Sequence, residues 1–353
     1  MFVTPLARVG NFYQRIFDEL GFKTKRYIRE EVGDHLLFTS ASTGGDKLLL
    51  LGHLDTVHLP GVFTDFHLDK EWIYGPGVCD MKGGNHVAIT ALRRVKSTFG
   101  KIADIDLLLV SDEETGSDDS KAISSALAKQ YAACLVFEAA GVHDEVVVGR
   151  KGVGTFTIHI QGKAAHAGNH YLSGANANLV AAHMIIDLTH LTSVEHGSTV
   201  NAGEISGGVG ANTISPHSKI VVEIRYTQHK ERDRLLAAIE RIVNTSYVVG
   251  VTSKLSGGIQ RDVMQPNSEQ SSLISKLEKI VGEHLATEQR GGVSDANVIA
   301  AAGVPTLDGF GPYGDGDHTL DERASRKSFQ RRVSQVSKIL LAYNGIKGGQ
   351  RTQ

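Results

Sequence analysis

The first part of the chain contains short, wholly apolar runs, each of which ends at polar residues. These runs cover residues 48–51, 107–110, 135–137 and, more weakly, 305–307. A continuous apolar run of this length predicts a strand that is buried on both faces, which is typical of a parallel sheet. Helical spacing of apolar residues before Gly21, and the composition of 84–95 and 120–129, predict helices around that sheet. The pattern therefore predicts α/β organisation.

A different pattern begins after residue 149. Apolar and polar residues alternate from 154 to 161, which is the period of a strand with one exposed face. Further strands are predicted at 199–204, 220–226 and 249–255, with helices at 178–191 and 231–243 and a close at Gly257-Gly258. This order predicts a small α+β sandwich, after which a helix at 273–285 returns to the α/β pattern. We expect a discontinuous domain, residues 1–148 and 262–353, interrupted by an inserted domain, residues 149–261.

The composition is that of an ordinary globular chain. The 353 residues are enough for two domains at about 100 to 200 residues each. The net charge of -2 offers no field that would gather nucleic acid or anionic lipid, and no apolar run approaches the roughly 20 residues of a membrane span. The start of the chain lacks the pattern of a signal peptide, so we expect a cytoplasmic location. The polar tail after Gly345 is expected to be disordered.

Cysteine usage limits the kind of metal site that the chain could form. Cys79 and Cys134 are the two cysteines of the sequence, too few for a disulfide framework or a Cys-based zinc site. Any metal would therefore need histidine and carboxylate ligands. Cys79, beside Asp80, is interpreted as a small packed residue or as a thiol open to oxidation.

Motifs of acidic residues and histidine follow the predicted parallel strands, where open α/β sheets build their binding crevices. The residues concerned are His53, Asp80, Glu114, Glu138 and His318. Their nitrogen and oxygen donors suit zinc, and two metals that share one carboxylate would use all five. In an extended segment, Asp55 points the same way as His53, so its carboxylate can accept one ring N–H while the other nitrogen binds a metal.

Each motif also has an ordinary structural interpretation. His53 and Asp55 could end a strand by chance, His318 could be a loop residue, and an acidic run such as 112–114 is usually a solvated loop. The position of that run directly behind an apolar strand counts against the last interpretation, because acids that repel one another there need cations or shifted pKa values. Glycines on both sides of Asp80 permit a tight loop that carries one carboxylate into a crowded site.

Taken in chain order, these motifs resemble the two-zinc metallopeptidase family that includes glutamate carboxypeptidase, aminoacylase, acetylornithine deacetylase and succinyl-diaminopimelate desuccinylase. The similarity covers nearly the whole chain and is greatest to glutamate carboxypeptidase. It rests on the His-x-Asp loop at His53, Gly-Val-Cys-Asp-Met-Lys-Gly-Gly at 77–84, Asp-Glu-Glu-Thr-Gly-Ser at 112–117, Glu138, the insertion and His318. It implies a zinc-exopeptidase-like α/β fold, with a mixed, mainly parallel sheet flanked by helices and an inserted α+β sandwich that acts as lid and dimerisation domain.

The resemblance also implies a ligand set. Two Zn2+ ions per chain, with Co2+ or Mn2+ as alternatives, would be held by five residues. His53 and Glu138 would bind one ion, Glu114 and His318 the other, and Asp80 would bridge both. Because the chain begins within the family's first helix, we expect either a shorter N-terminal edge of the catalytic domain or a recorded start that is late.

Three further residues receive catalytic roles from the same resemblance. Asp55 would orient the first histidine ligand, and Glu113 would be the general base that takes a proton from the zinc-bridging water. His166, in Gly-Lys-Ala-Ala-His-Ala-Gly, is similar to a lid histidine that stabilises the oxyanion in the partner subunit's site. A homodimer is therefore expected. His166 also has a structural interpretation, as the cap of a turn.

The substrate class is indicated by five positions. Glu at position 138 goes with family members that release an amino acid bearing a free carboxylate. Asn212 and Arg225 match lid positions that grip that carboxylate, a task that suits the planar fork of arginine. Arg225 could also be a strand-surface charge. Gly292 and Ser294 lie in a loop that resembles the family's substrate-lining loop.

Three functions stay open on the sequence. The first is a zinc carboxypeptidase or N-acyl amino acid hydrolase. The second is a biosynthetic deacylase of the acetylornithine or desuccinylase kind, which differs only in acyl-pocket residues that the sequence does not assign. The third is a non-catalytic dimeric binding protein, which the loss of a ligand or of the base would favour. Neither is lost, so the sequence favours an enzyme acting on a small N-acyl amino acid or short peptide.

Overall fold

The computed structural model describes residues 3–345, and the tail that we expected to be disordered lies outside this range. The chain divides into two compact units. The first runs up to Gly149 and includes Pro266–Arg290 and the chain from Ser294 onward, and the second consists of Arg150–Gln265 and Gly291–Val293. None of the described helices is both long enough and apolar enough to cross a membrane.

Helices and strands alternate along most of the chain. The helices are α1 (Val3–Leu20), α2 (Lys82–Phe99), α3 (Ser120–Ala128), α4 (Ala177–Thr189), α5 (His229–Val243), α6 (Ser268–Val281), α7 (Asp295–Ala301) and α8 (Arg326–Tyr343). The strands of the first part are β1 (Lys23–Tyr27), β2 (His35–Thr39), β3 (Leu48–His53), β4 (His67–Leu68), β5 (Trp72–Tyr74), β6 (Ile105–Val110), β7 (Ala133–Val136) and β8 (Val146–Arg150). The remaining strands are β9 (Gly152–Gln161), β10 (Thr199–Gly207), β11 (His217–Tyr226), β12 (Thr252–Arg261), β13 (Thr287–Arg290), β14 (Thr306–Leu307), β15 (Gly314–Asp315) and β16 (Arg323–Ser325).

A mixed sheet forms the centre of the first unit. Among the described residues, its strand order is β1-β2-β6-β3-β7-β14. The pairs from β6 to β14 are parallel, whereas β1 and β2 are antiparallel additions at one edge. Every residue of β3 and β6 is buried, as the continuous apolar runs require. The predicted α/β fold with a mainly parallel sheet is confirmed.

A smaller sheet of the same unit was not predicted from the sequence. Its order is β15-β16-β5-β4, and each strand has only two or three residues, too few to show a period. The sheet positions two loops. One follows β5 and leads to α2, and the other connects β15 to β16. These loops carry Asp80 and His318.

The second unit contains an antiparallel sheet of order β10-β11-β9-β12. Its inward side chains, such as Ile158 and Val222, pack with α4 and α5 in one apolar cluster. The expected end of this region at Gly257-Gly258 is wrong, because β12 continues through both glycines to Arg261. Gly257 has a φ of 96° and lies so close to β9 that a Cβ would be 2.2 Å from the Thr155 carbonyl oxygen. The glycine permits close strand approach and does not end the strand.

Candidate metal site

The predicted ligands lie on loops at one region of the first unit. His53 is the last residue of β3, and Glu114 lies in a short 3-10 turn after β6. Glu138 follows β7, the other parallel neighbour of β3. Because β6, β3 and β7 run in the same direction, their carboxyl ends bring these three side chains to the same edge of the sheet. The loops of the smaller sheet add Asp80 and His318.

Asp80 lies between the two histidines. Its Oδ1 is 3.0 Å from His53 Nε2, and its Oδ2 is 3.3 Å from His318 Nε2. Glu138 Oε1 is 3.7 Å from His53 Nε2, and Glu114 Oε2 is 3.2 Å from His318 Nε2. The five side chains therefore form two groups that share Asp80.

The donor set fits a divalent cation. His53, Asp80 and Glu114 each offer one ligand atom, and these atoms all lie within 4.8 Å of one another. Burial and the nearby charge of Asp80 raise the pKa of Glu114 to about 8, and the same two causes raise the pKa of Glu138 well above its usual range. Carboxylates packed this closely repel one another, and a cation between them removes that repulsion.

The pKa values of the two histidines are also shifted by neighbouring carboxylates. The hydrogen bond to Asp80 raises the pKa of His318 to about 9. Burial alone would lower the pKa of His53, but contacts with Asp55 and Asp80 raise it well above its usual range. Conversely, burial would raise the pKa of Asp80, while the hydrogen bonds to His318 and His53 hold it below its usual range. A metal binds the neutral ring, so metal binding here would release protons.

Asp55 contacts two of the predicted ligands. The Nδ1 atom of His53 is 3.1 Å from the main-chain oxygen of Asp55 and 3.4 Å from its carboxylate Oδ1. The other carboxylate oxygen, Oδ2, accepts the main-chain N–H of Glu114 at 3.0 Å. Asp55 thus connects the loop after β3 with the turn after β6, a connection that the sequence motifs do not show.

Glu113 is buried beside the ligands. It begins the 3-10 turn that also contains Glu114. After burial and Asp80, the charge of Glu113 is a further cause of the raised pKa values of Glu114 and Glu138. Its carboxylate therefore lies within electrostatic range of both groups of ligands.

Two supporting residues were missed from the sequence. Asn85 Nδ2 donates to the main-chain oxygen of His53 at 2.7 Å. A Cβ at Gly52 would lie 2.1 Å from Asn85 Oδ1, so a larger residue there would displace the Asn85 side chain. Glu322 accepts main-chain N–H groups of the loop that carries Asp80. Neither residue belongs to a recognisable motif, because their partners are main-chain atoms distant in sequence.

His166 and Asn212 lie together in the second unit. The main-chain N–H of Ala167 donates to the Asn212 main-chain oxygen at 2.9 Å. The Nδ1 atom of His166 accepts the N–H groups of Gly168 and Asn169, at 3.2 and 3.1 Å. This network assigns the ring proton to Nε2, which leaves an exposed N–H donor.

Arg225 lies at the other end of the same sheet. It is near the end of β11, whereas Asn212 precedes the first residue of that strand. Eight residues of strand at about 3.3 Å each separate His217 from Arg225 by about 26 Å. Arg225 and the loop that carries Asn212 therefore lie at opposite ends of β11, and their joint grip on one carboxylate stays a prediction.

The guanidinium of Arg225 is held in place by its neighbours. Its Nε donates to Glu223 Oε1 at 2.7 Å and its Nη2 to Glu223 Oε2 at 3.3 Å. Nη1 donates to the main-chain oxygen of Gly291 at 3.2 Å. Because a guanidinium has five N–H groups, one remains on each terminal nitrogen. Gly292, the next residue, is exposed, and its carbonyl accepts from Arg150 at 3.1 Å.

The side chain of Ser294 is buried at the start of α7. It is 1% exposed, and its hydroxyl donates to Asp308 at 2.8 Å and accepts the N–H of Ala296 at 3.1 Å. Its main-chain N–H donates to Asn297 Oδ1 at 3.0 Å, which completes a capping box at the start of α7. The hydroxyl is fully used inside the protein, so any contribution of Ser294 to a substrate site would come from the main chain of its loop, and that role stays a prediction.

Comparison with known proteins identifies the family. Residues 49–342 match the family described as Peptidase family M20/M25/M40. The chain belongs to this family. M20 peptidases are metal-dependent hydrolases, and this M20 protein is accordingly an enzyme acting on peptide or amide bonds. The predicted family and the predicted enzyme class are confirmed.

Several M20 relatives resemble the chain over nearly its whole length. Carboxypeptidase G2 from a Pseudomonas species is 27% identical over 348 residues, which cover 95% of this chain and 84% of that protein. N-acetyl-L-citrulline deacetylase from Xanthomonas campestris is 27% identical, covering 92% of this chain and 90% of that protein. Aminopeptidase PepT from Bacillus cereus shares the fold, with a TM-score of 0.76 at 21% identity over 95% of this chain and 92% of that one.

Proposed function

We propose that the protein hydrolyses an amide or peptide bond and releases an amino acid with a free carboxylate, as a carboxypeptidase or N-acyl amino acid hydrolase. The observation that carries this proposal is the placement of Asp80, whose two carboxylate oxygens contact different histidines. A carboxylate in that position suits a pair of metal ions better than a single ion.

The metal content is the next part of the proposal. Two Zn2+ ions would be held per chain, one by His53 and Glu138 and the other by Glu114 and His318, with Asp80 shared. Histidine nitrogen and carboxylate oxygen are donors that zinc accepts. When bound, such ions acidify water and polarise the carbonyl of the scissile bond.

The remaining chemistry belongs to side chains. Glu113 would accept a proton from the attacking water and pass it to the leaving amine, as general base and then general acid. Its buried position beside Glu114 supports this role. Asp55 would hold the His53 ring through Nδ1. His166 would donate a hydrogen bond from its Nε2–H to the oxyanion, because its Nδ1 already accepts hydrogen bonds.

Recognition of the product carboxylate is assigned to Arg225. Its two remaining N–H groups lie on different terminal nitrogens and can pair with two carboxylate oxygens. Glu223, which holds the guanidinium, fixes its direction. One relative is a carboxypeptidase, which agrees with this product, and another, a deacetylase of an N-acetyl amino acid, agrees equally.

We also propose a homodimer formed through the second unit. Leu179 and Ile186, on α4, are 45% and 56% exposed, and Ile205, on the edge strand β10, is 57% exposed. An apolar helix face beside an open strand edge is typical of a protein interface. In a dimer, Asn212 of one chain and Arg225 of the other could serve one substrate.

The cytoplasmic location remains a proposal as well. Cys79 and Cys134 are both buried as free thiols, which agrees with a reducing compartment. Fractionation of the source cells tests it, and recovery outside the cytoplasm would contradict it.

Substrate pairs that differ only at the carboxylate test the proposed function. The enzyme, loaded with zinc or cobalt, is assayed for amino acid release from N-acyl amino acids and from their C-terminal amides. We expect a strong preference for the free acid. Arg225→Ala should reduce the stabilisation of the transition state for cleavage of the acid by about 2 to 5 kcal/mol, because the charge of the substrate is left unpaired. Cleavage of the amide should be affected far less.

Arg241→Ala is the matched control. Arg241 is an exposed arginine in the last turn of α5, so its removal should leave both substrates unaffected. Equal losses on acid and amide in Arg225→Ala would contradict the carboxylate role. Cleavage of acetylated or succinylated diamino acids alone would favour the deacylase.

A further inference from the structure

Glu322 is a buried carboxylate at the meeting point of two loops. It is 1% exposed. Its Oε2 accepts the main-chain N–H of Gly77 at 2.8 Å, and its Oε1 accepts those of Cys79 and Asp80 at 2.9 and 3.0 Å. Three N–H groups of one short loop therefore converge on a single side chain from a distant part of the sequence.

The main chain of Glu322 also contacts the loop that contains Asp80. Glu322 immediately precedes β16, which pairs with β5, and its carbonyl oxygen accepts the N–H of Gly75 at 3.2 Å. It also follows His318 by four residues. Glu322 thus links the loop that contains Asp80 to the loop that contains His318, through both its side chain and its backbone.

The loop from Gly75 to Asp80 needs such a partner. Gly75 and Gly77 have φ values of 150° and 78°, so this stretch cannot continue the ladder of β5. Buried N–H groups without an acceptor are costly, and the concavity formed by neighbouring N–H groups favours an anion. The Glu322 carboxylate fills that concavity and holds the Asp80 main chain.

We propose that Glu322 is a positioning residue that sets the metal affinity of the site through the main chain of Asp80. The inference rests on the proposed function, in which Asp80 is the shared ligand. Holding the Asp80 backbone directs its two carboxylate oxygens towards the two histidines before a metal arrives. Without this support, metal binding would have to order the loop, and the affinity would fall.

Glu322→Gln tests the proposal in the full-length protein. Glutamine keeps the size of the side chain but replaces one acceptor oxygen with an NH2 group that cannot accept a main-chain N–H. Zn2+ affinity is measured by competition with a chelator, and the Co2+ absorption spectrum reports the geometry of the bound ion. We expect affinity about 10- to 100-fold weaker and an altered Co2+ spectrum, with activity recovering at high metal concentration.

Asp321→Asn is the matched control. Asp321 is exposed and adjacent, so this variant removes the same charge from the same loop without touching the Asp80 backbone. It should bind metal as the wild type does. Glu322→Asp, which keeps the charge on a shorter side chain, should give an intermediate loss, and it replaces Glu322→Gln if that variant does not fold.

Failure of the positioning role and failure of the proposed function give different results. Wild-type metal affinity and an unchanged Co2+ spectrum in folded Glu322→Gln, or in Glu322→Asp, would overturn the positioning role alone. Failure of the wild type to bind metal would overturn the proposed function, and this inference with it.

Discussion

Glu113 and Glu114 are adjacent in sequence but have different surroundings. The carboxylate of Glu114 lies 3.2 Å from His318, and its main-chain N–H is held by Asp55. Glu113 is buried nearby and adds to the repulsion that raises the pKa of Glu114. The turn between β6 and α3 therefore presents a candidate ligand and a candidate base side by side.

Replacing Glu113 by Gln should separate these two roles. The variant should keep its metal, because the candidate ligands are untouched, yet lose at least about a hundredfold in kcat, the low end for general acid-base catalysis. Metal analysis and steady-state kinetics measure both effects. Glu114→Gln is the comparison, and it should lose metal affinity first. Near-normal kcat in Glu113→Gln would remove Glu113 from the mechanism.

At the scale of residues, the sequence predicts which side chains come together where those side chains follow buried parallel strands. His53, Glu114 and Glu138 come together because strand direction alone brings their loops to one edge of the sheet. The role of Glu322 could not be predicted, since its partners are main-chain N–H groups of a loop far away in sequence. The sequence did contain a signal for Ser294, because Asn297 three residues later is the spacing of a capping box.

At the scale of elements, the length of a strand decides whether the strand can be predicted from the sequence. β3 and β6 are six-residue strands, and each contains a four-residue apolar run, 48–51 and 107–110, that predicts a buried strand. β4, β5, β15 and β16 have only two or three residues, so no period exists, although they position Asp80 and His318. Gly257 lies within β12 and does not end it, and the sequence does not distinguish the two cases because close strand approach and a turn at a strand end both favour glycine.

Asp104, just before β6, anchors the loop that joins β2 to β3. Its carboxylate accepts the main-chain N–H of Thr43 at 3.0 Å, the Ser42 hydroxyl at 3.3 Å and the Thr43 hydroxyl. Burial alone would raise the pKa of Asp104, but the bonds from Thr43 and Ser42 hold it below its usual range. Ionised Asp104 therefore stabilises the fold above the unfolded pKa of about 3.9, and this contribution is lost as the pH falls through the lower folded pKa.

Asp104→Asn should measure that contribution. Asparagine tolerates the positive φ of 59° at this position but offers an amide in place of the charged acceptor. We expect a loss of about 1.5 to 3 kcal/mol in the free energy of unfolding at pH 7, shrinking as the pH falls below about 4. Urea unfolding of the metal-free protein measures it, with Asp46→Asn, in the same loop and exposed, as control. A pH-independent loss would contradict the assignment.

At the scale of the whole molecule, the proposed dimer makes each site depend on two chains. Glu113 lies in the first unit and His166 in the second. If His166 acts in the partner's site, a mixed dimer of Glu113→Gln and His166→Ala contains one site with both groups intact. The exposed apolar residues on α4 and β10 are the proposed contact between chains.

Mixing the two inactive variants should therefore restore activity. At equal amounts, roughly a quarter of the wild-type activity is expected, because half of the dimers are mixed and each has one intact site. Activity is measured during subunit exchange, which a labelled subunit monitors independently. Exchange without recovery of activity would show that His166 does not act in the partner's site.

Asp80 is proposed to be shared by two metal ions, and this sharing can be tested by a metal titration. Chelator-treated protein is titrated with Zn2+ while bound metal and amide hydrolysis are recorded together. We expect no activity without metal and maximal activity at two equivalents per chain, because two groups of candidate ligands share one carboxylate. Full activity at one equivalent, or activity that survives complete metal removal, would contradict it.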